Sequence, residues 1–269
     1  MTHYKSVLQE GYRIFGSGRT RDPVFGRRGL VTLSILTTAG KQFPAGPRYR
    51  VLPSRAGWIY GVGSGVYHRR PMGTLVALEG IDGSGKSTQA SLLSDQLRGR
   101  GFDAVVFREP GDSAFGDKLR QQFRDGRTIS AKEEARLFIE DRRIDVRENI
   151  RPALVAGKVV VMDRYYFSTM AYQGALGLNT DQLREANELF APRPDLTLIL
   201  DLSAETSAER IHASRESPDS YEGTEYLRRV RELFLEFCES DVVTVDAAAE
   251  VSELSAEILR KVLAVVGGC

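Results

Sequence analysis

Short apolar runs alternate with amphipathic stretches along the chain from residue 74 onward. The runs are continuous rather than alternating, which predicts strands of a parallel sheet buried on both faces. The stretches between them repeat apolar residues at helical spacing, so we expect an α/β fold with helices on both faces of the sheet. The predicted strands are 74–79, 104–107, 158–163, 196–200 and 242–246, and the predicted helices are 90–97, 131–155, 206–214, 225–239 and 251–265.

The first 71 residues differ from the rest of the chain. They contain twelve Lys and Arg side chains against two acidic ones, 11 of the 26 glycines, and no sustained apolar period. We expect a mostly irregular extension over 1–71 and one folded domain over 72–269. Three interpretations stay open: a basic arm that binds nucleic acid, an organelle transit peptide, or sequence upstream of a true start at Met72. The third is favoured, because the segment lacks the pattern that a packed domain needs.

Composition excludes several other classes. The 269 residues are 42% hydrophobic and 27% charged, and the mean hydropathy is -0.26, which is typical of a globular protein. No apolar stretch approaches the length of a transmembrane helix, so we expect no membrane contact. Cys238 and Cys269 form no CxxC pair, which argues against a disulfide scaffold or a structural zinc and favours a cytoplasmic location.

One motif joins the first of these strands to its helix. It has the pattern G-x-x-x-x-G-K-[ST], which wraps backbone N–H groups around phosphates at a helix N-terminus. Lys86 is expected to bridge the β- and γ-phosphates, and the Ser87 hydroxyl to ligate Mg²⁺. The nucleotide-binding residues predicted here are Gly80, Ile81, Asp82, Gly83, Ser84, Gly85, Lys86, Ser87 and Thr88.

Polar residues follow two other predicted strands. Arg108 comes directly after the strand 104–107, and Asp163 and Arg164 end the strand 158–163. Because the carboxyl ends of parallel strands gather at one edge of the sheet, these side chains are expected beside the phosphate loop. A carboxylate there suits Mg²⁺, which assigns Asp163 to the metal site with Ser87, and the Arg164 guanidinium suits a phosphate.

Phe138 and Arg142 lie four residues apart in the long predicted helix, so they share one face. A ring and a guanidinium so placed can stack on a base and donate to its carbonyl. Taken alone, core packing of Phe138 and a solvated Arg142 are the more frequent roles.

Together these residues resemble the thymidylate (dTMP) kinases, a family of P-loop nucleoside monophosphate kinases. The resemblance covers about residues 72–266 and implies a P-loop kinase fold with a five-stranded parallel sheet. It also implies ATP and Mg²⁺ as cofactors, transfer of the γ-phosphoryl group to dTMP, and a homodimer. The matching segments are 79–88 (EGIDGSGKST), 108–111 (REPG), Leu137-Phe138 with Arg142, 163–165 (DRY), 168–174 (STMAYQG) and 193–201 (RPDLTLILD).

The resemblance assigns the acceptor nucleoside to five residues. Phe138 is implied to stack on thymine and Arg142 to bond the base carbonyl. Thr169 and Gln173 are implied to address the base edge, and Tyr172 to occupy the place where the family excludes a ribose 2′-hydroxyl.

It assigns the phosphates to another set. Arg164 would hold the acceptor phosphate with Arg108 nearby, and Asp82 would orient the acceptor or a water on the metal. Family members without a basic residue in the P-loop place arginines in a lid, and Gly83 occupies that P-loop position here. The lid would be 210–222, with Arg215 as its catalytic residue.

Two departures from the family pattern bear on the choice of substrate and on the catalytic rate. Ser220 stands where many members have arginine, and Asp112 follows Gly111 where a second glycine is usual. Two alternatives to dTMP phosphorylation therefore stay open. One is a kinase for another deoxynucleoside monophosphate, and the other is a P-loop ATPase or switch with a degenerate acceptor site and a basic arm.

Overall fold

The computed structural model describes residues 73–214 and 223–266, together with the backbone of five short strands in the first 62 residues. The chain divides into two units, Met1–Arg70 and Pro71–Cys269. Among the described residues, no helix is both long enough and apolar enough to cross a bilayer.

The first unit contains strands that the sequence pattern does not predict. Three of them pair antiparallel in the order β1-β2-β3, and two form a separate antiparallel pair. Their residues are rich in aromatic and β-branched types, which favour strands, but glycines, prolines and arginines in and between them break up any sustained apolar period. The strands are β1 (Leu8–Gln9), β2 (Tyr12–Ser17), β3 (Thr32–Thr37), β4 (Tyr49–Ser54) and β5 (Gly57–Val62).

The second unit is built on a five-stranded sheet in which all neighbours are parallel, as predicted. Its strand order is β10-β9-β6-β8-β7. The two strands beside β6 follow it only after long crossovers, as parallel pairing requires. The strands are β6 (Thr74–Glu79), β7 (Ala104–Arg108), β8 (Val159–Asp163), β9 (Leu196–Asp201) and β10 (Val242–Asp246).

Burial explains why the central strands are continuously apolar. Val76, Ala77 and Leu78 are consecutive in β6 and all fully buried, so both faces of the sheet are covered. The edge strand β7 instead alternates in burial, and Val106 is partly exposed.

Nine helices lie in the described part of this unit. The prediction of a helix over 131–155 is confirmed, with a π-helical turn at Val146–Ile150 between α3 and α4. Helices α2, α5 and α6 were not predicted. The helices are α1 (Lys86–Arg98), α2 (Ala114–Asp125), α3 (Ala131–Asp145), α4 (Arg151–Val155), α5 (Tyr166–Gly174), α6 (Thr180–Glu188), α7 (Ala204–Ser214), α8 (Thr224–Glu236) and α9 (Val251–Val266).

Strand register brings three predicted site segments to one edge. Asp163 at the end of β8 is paired with Leu78 on one side and with Arg108 on the other. The loop that follows β6 therefore starts beside the ends of β7 and β8, where ligands of open parallel sheets bind.

Candidate functional site

The phosphate loop has the backbone that its glycines predict. Gly80 and Gly85 have φ of 135° and 90°, values that side chains with a Cβ rarely adopt. A Cβ on Gly80 would lie 2.5 Å from the Leu200 carbonyl oxygen, so the close approach to β9 also requires glycine. Residues 80–85 form the loop, and Lys86, Ser87 and Thr88 are the first residues of α1, so the predicted set lies together.

Lys86 is buried inside its own loop. Its Nζ donates to the Ile81 carbonyl oxygen at 2.6 Å and lies 3.2 Å from Ser84 Oγ. Burial, assisted by the charge of Arg164, lowers the pKa of the Lys86 ammonium from 10.5 to about 7. A phosphate at this position would reverse that shift, because an anion favours the charged form.

Ser87 and Asp163 meet at the place predicted for Mg²⁺. Ser87 Oγ donates to Asp163 Oδ2 at 2.5 Å. Asp163 is buried, and its Oδ1 has no hydrogen-bond partner among the residues the structure describes. Arg108 Nε lies 3.4 Å from Oδ2, although the Arg108 side chain is mostly exposed.

The Ser87 hydroxyl and the Asp163 carboxylate are ligands that fit Mg²⁺. The ion prefers oxygen ligands and is held in kinases by few protein groups plus phosphates and water. A hydroxyl and a buried carboxylate with one unpartnered oxygen supply such a set. No group of three or more His, Cys, Asp or Glu side chains suited to a metal occurs in the described parts of the chain.

Arg164 lies between the phosphate loop and the acceptor side. Its φ is +71°, a backbone strain that non-glycine residues show mostly at functional positions. The guanidinium pairs with Asp82 and lies over the Tyr172 ring, 5.2 Å from its centroid. Burial opposes the charge of Arg164, but Asp82 and Tyr172 outweigh it and raise its pKa, so the arginine stays cationic.

A cavity of about 620 Å³ opens beside Arg164. Phe138 is only partly buried, so it is a wall of the cavity rather than part of the core, and its ring lies 6.2 Å from that of Phe123. The exposed Asp112 is also at the wall. Of the predicted residues, the cavity brings together Asp82, Arg108, Phe138, Arg142, Arg164, Tyr172 and Gln173.

Arg142 reaches the cavity wall from a buried network. Its Nε donates to Glu109 Oε1 at 2.8 Å, Nη2 donates to Glu109 Oε2 and Nη1 to Asn187. Thr169 is likewise buried, and its hydroxyl accepts from Arg142 Nη2 at 3.0 Å, so the structure places it against Arg142. A guanidinium has five N–H donors, which leaves one on Nη1 for a ligand.

Glu109 and Asn187 were not singled out by the sequence. Burial raises the pKa of Glu109, and the charge of Arg142 opposes the rise. The sequence signal that could have identified Glu109 is its position as an acid directly after Arg108 at the end of a strand. Asn187 had no such signal, because its helix α6 was not predicted.

Two more buried acids support the site. Glu79 accepts from the backbone N–H of Tyr165 at 2.9 Å and from Ser168 Oγ at 2.6 Å, which fixes the chain around Arg164. Burial raises the pKa of Glu79 to about 7, and the hydrogen bond from Ser168 opposes the rise. Glu134 lies in the cavity wall and binds Arg127 and Gln173.

Tyr172 connects the acceptor side to the phosphate loop. Its hydroxyl donates to Asp82 Oδ2 at 2.9 Å, and its backbone oxygen accepts from the Tyr226 hydroxyl at 2.8 Å. Burial, followed by the charge of Asp82, raises the pKa of Tyr172 well above 10, so the phenol stays neutral. The predicted lid residues Arg215 and Ser220 lie outside the described residues.

Comparison with known proteins agrees with this geometry. A family model described as thymidylate kinase matches residues 78–258. A probable thymidylate kinase of Archaeoglobus fulgidus is 46% identical over 189 residues, covering 70% of this chain and 94% of that protein.

Bacterial proteins show the same similarity. The thymidylate kinase of Desulfotalea psychrophila is 39% identical over 191 residues, 71% of this chain and 94% of that protein. That of Xanthomonas oryzae pv. oryzae is 43% identical over 197 residues, 73% of this chain and 84% of that protein. With the phosphate loop, the Asp163-Arg164 pair and the cavity in place, the chain belongs to the thymidylate kinase family.

Proposed function

We propose that this protein transfers the γ-phosphoryl group of ATP to dTMP, giving ADP and dTDP. The observation that carries the proposal is that the largely buried cation Arg164 lies between the phosphate loop and a cavity walled by Phe138 and Arg142. Such a site can hold two nucleotides with their phosphates facing each other.

The donor side is the loop over residues 80–88. Backbone N–H groups and the N-terminus of α1 would hold the β- and γ-phosphates, and Lys86 would leave its contacts with Ile81 and Ser84 to bridge them. Ser87 and Asp163 would hold Mg²⁺, which neutralises charge on the phosphate oxygens.

The acceptor side needs no general base. The second pKa of a phosphate monoester is about 6, so the attacking oxygen of dTMP is already anionic near pH 7. Catalysis then requires alignment of two anionic groups and cancellation of their repulsion. Arg164 would neutralise and align the acceptor phosphate, and Arg108 at the mouth of the cavity would assist it. Until substrate binds, the Asp82 carboxylate pairs with the Arg164 guanidinium.

The nucleoside would lie against α3 and α5. Phe138 presents a ring to the base, and the remaining N–H of Arg142 can donate to a base carbonyl. Tyr172, fixed by Asp82, would stand against the 2′ position of the sugar and exclude ribonucleotides.

Two further predictions concern the lid and the assembly. Arg215 in the lid is proposed to reach the phosphoryl group that is transferred. The protein is also predicted to form a homodimer, which sedimentation can measure.

An acceptor panel tests the proposal. ADP release from ATP and MgCl₂ is followed with dTMP, dUMP, dCMP or no acceptor. We expect release that depends on an acceptor and is fastest with dTMP. Equal release in all four reactions would instead identify an ATPase or switch, and a faster reaction with dCMP would identify a kinase for another nucleotide.

A further inference from the structure

Gln173 presents an unpartnered acceptor at the cavity wall. The side chain is 1% exposed, and its Nε2 donates to Glu134 Oε1 at 2.8 Å. Its Oε1 is buried and has no hydrogen-bond partner in the part of the chain that the structure describes. Since buried polar atoms are nearly always paired, this oxygen is suited to accept a hydrogen bond from a ligand.

Glu134 determines which end of the Gln173 amide faces the cavity. A carboxylate accepts hydrogen bonds and cannot donate them, so the NH₂ group of Gln173 is directed to Glu134 and the carbonyl oxygen away from it. Arg127 holds the carboxylate in place, with Nε 2.9 Å from Oε2 and Nη2 3.3 Å from Oε1. Glu134 is fully buried, so water does not compete for these contacts.

Helices α3 and α5 carry these groups, apart from Arg127, which precedes α3. Glu134, Phe138 and Arg142 are spaced by four residues along α3, and Thr169 and Gln173 are spaced by four along α5. Residues so spaced share a helix face. Among the residues that line the cavity, these faces provide the ring of Phe138, a donor from Arg142 and an acceptor from Gln173.

A donor together with an acceptor matches one kind of pyrimidine edge. Thymine offers a carbonyl acceptor next to the N3–H donor, whereas cytosine offers an amino donor next to an unprotonated N3. A donor from Arg142 and an acceptor from Gln173 complement the first and oppose the second.

We propose that Glu134 is a positioning residue that sets the selectivity for thymine over cytosine by fixing the orientation of the Gln173 amide. The inference rests on the proposed function, since it concerns the acceptor of that reaction.

The isosteric variant Glu134→Gln tests this orientation. An amide at 134 can present its NH₂ group as well as its carbonyl oxygen to Gln173, whereas the carboxylate can only accept. The Gln173 amide is then no longer held in one orientation and can also present its own NH₂ to the base. We expect the ratio of kcat/KM for dTMP to that for dCMP to fall by about tenfold or more.

Glu133→Gln is the matched control. Glu133 precedes Glu134 on α3, is partly exposed and pairs with Arg136 on the surface. This variant should keep the wild-type ratio. Thermal unfolding of both variants, followed by circular dichroism, verifies that they are folded.

An exchange of the two side chains provides a rescue. In the double variant Glu134→Gln with Gln173→Glu, the amide at 134 donates to the carboxylate at 173, which can offer only acceptors to the base. The ratio should return to within about threefold of the wild type, whereas a merely structural role for Glu134 predicts no recovery.

The outcomes separate the two proposals. A wild-type protein without acceptor-dependent ADP release overturns the proposed function itself. If the wild type prefers dTMP and a folded Glu134→Gln variant keeps the same ratio of kcat/KM for dTMP to that for dCMP, only the role of Glu134 is overturned. The same holds if the folded double variant does not recover the wild-type ratio. If neither variant folds, binding of N3-methyl-dTMP to the wild type decides: equal affinity with dTMP overturns the inference, and weaker binding supports it.

Discussion

The Ser87 hydroxyl donates a hydrogen bond to the Asp163 carboxylate across 76 positions of sequence, with Oγ 2.5 Å from Oδ2. The contact joins the first turn of α1 to the end of β8 at the sheet edge where the phosphate loop begins. Both oxygens suit a hard cation, so the pair is a preformed part of the proposed Mg²⁺ site.

Asp163→Asn should therefore weaken the response to Mg²⁺. The amide keeps the shape but loses the charge, and we expect the Mg²⁺ concentration for half-maximal ADP release to rise by about tenfold or more. Asp103→Asn, which changes an exposed acid paired with Lys158, serves as the control. An unchanged Mg²⁺ dependence in Asp163→Asn would remove this residue from the metal site.

ATP binding should take up protons above pH 7. Burial, then Arg164, lowers the pKa of Lys86 to about 7, so at pH 8 most Lys86 side chains are neutral without nucleotide. Bound phosphates raise that pKa and the lysine takes up a proton, whereas at pH 6 it is already charged. Calorimetry at pH 8 in buffers of different ionisation enthalpy measures the uptake. Lys86→Arg should abolish it, and uptake that persists in this variant would contradict the assignment.

Arg164→Lys should impair use of dTMP far more than binding of ATP. Lysine cannot reproduce the planar fork of the guanidinium, with its paired N–H donors. We expect kcat/KM for dTMP to fall by about 100-fold, while the dissociation constant for ATP stays within a few fold. Arg136→Lys on the exposed face of α3 is the control. If Arg164→Lys weakened ATP binding by as large a factor as it lowered kcat/KM for dTMP, Arg164 would belong to the ATP side of the site.

Phe138→Leu should raise the KM for dTMP by about tenfold, because leucine keeps the bulk but loses the ring face for stacking. Phe138→Tyr keeps the ring and should remain near the wild-type value. Stability should change little, since Phe138 is only partly buried. Steady-state kinetics of both variants give the comparison, and a KM unaffected by leucine would argue against stacking.

Arg142→Met should destabilise the protein by about 3–5 kcal/mol, because it leaves buried Glu109 without its partner. The double variant Arg142→Met with Glu109→Leu should recover part of that loss, since no charge is then left unpaired. Urea unfolding measures both. Arg136→Met, at the surface, should have little effect. A double variant less stable than Arg142→Met would contradict the account of this pair.

The sequence was sufficient for the sheet and for the phosphate end of the site. Continuous apolar strands have few alternatives, and the loop before α1 combines glycines, Lys86 and Ser87 at a fixed spacing. Helix α5 escaped prediction because eight of its nine residues are buried, so it shows no amphipathic period.

The nucleoside end could be predicted only in part. Phe138 and Arg142 are four residues apart whether they pack in a core or face a ligand, so spacing alone did not decide between these roles. The partners Glu109, Glu134 and Asn187 depend on how separate helices pack, which no local pattern records. The strands of the first unit were missed because glycines, prolines and arginines in and between them interrupt the apolar period.

Transfer of labelled phosphate tests the central claim most directly. The protein is incubated with ATP labelled at the γ-phosphate, MgCl₂ and dTMP, and the nucleotides are separated. Label should appear in dTDP, none should appear there with Lys86→Met, and little should appear as inorganic phosphate. Label found as inorganic phosphate at the same rate with and without dTMP would contradict the proposed kinase.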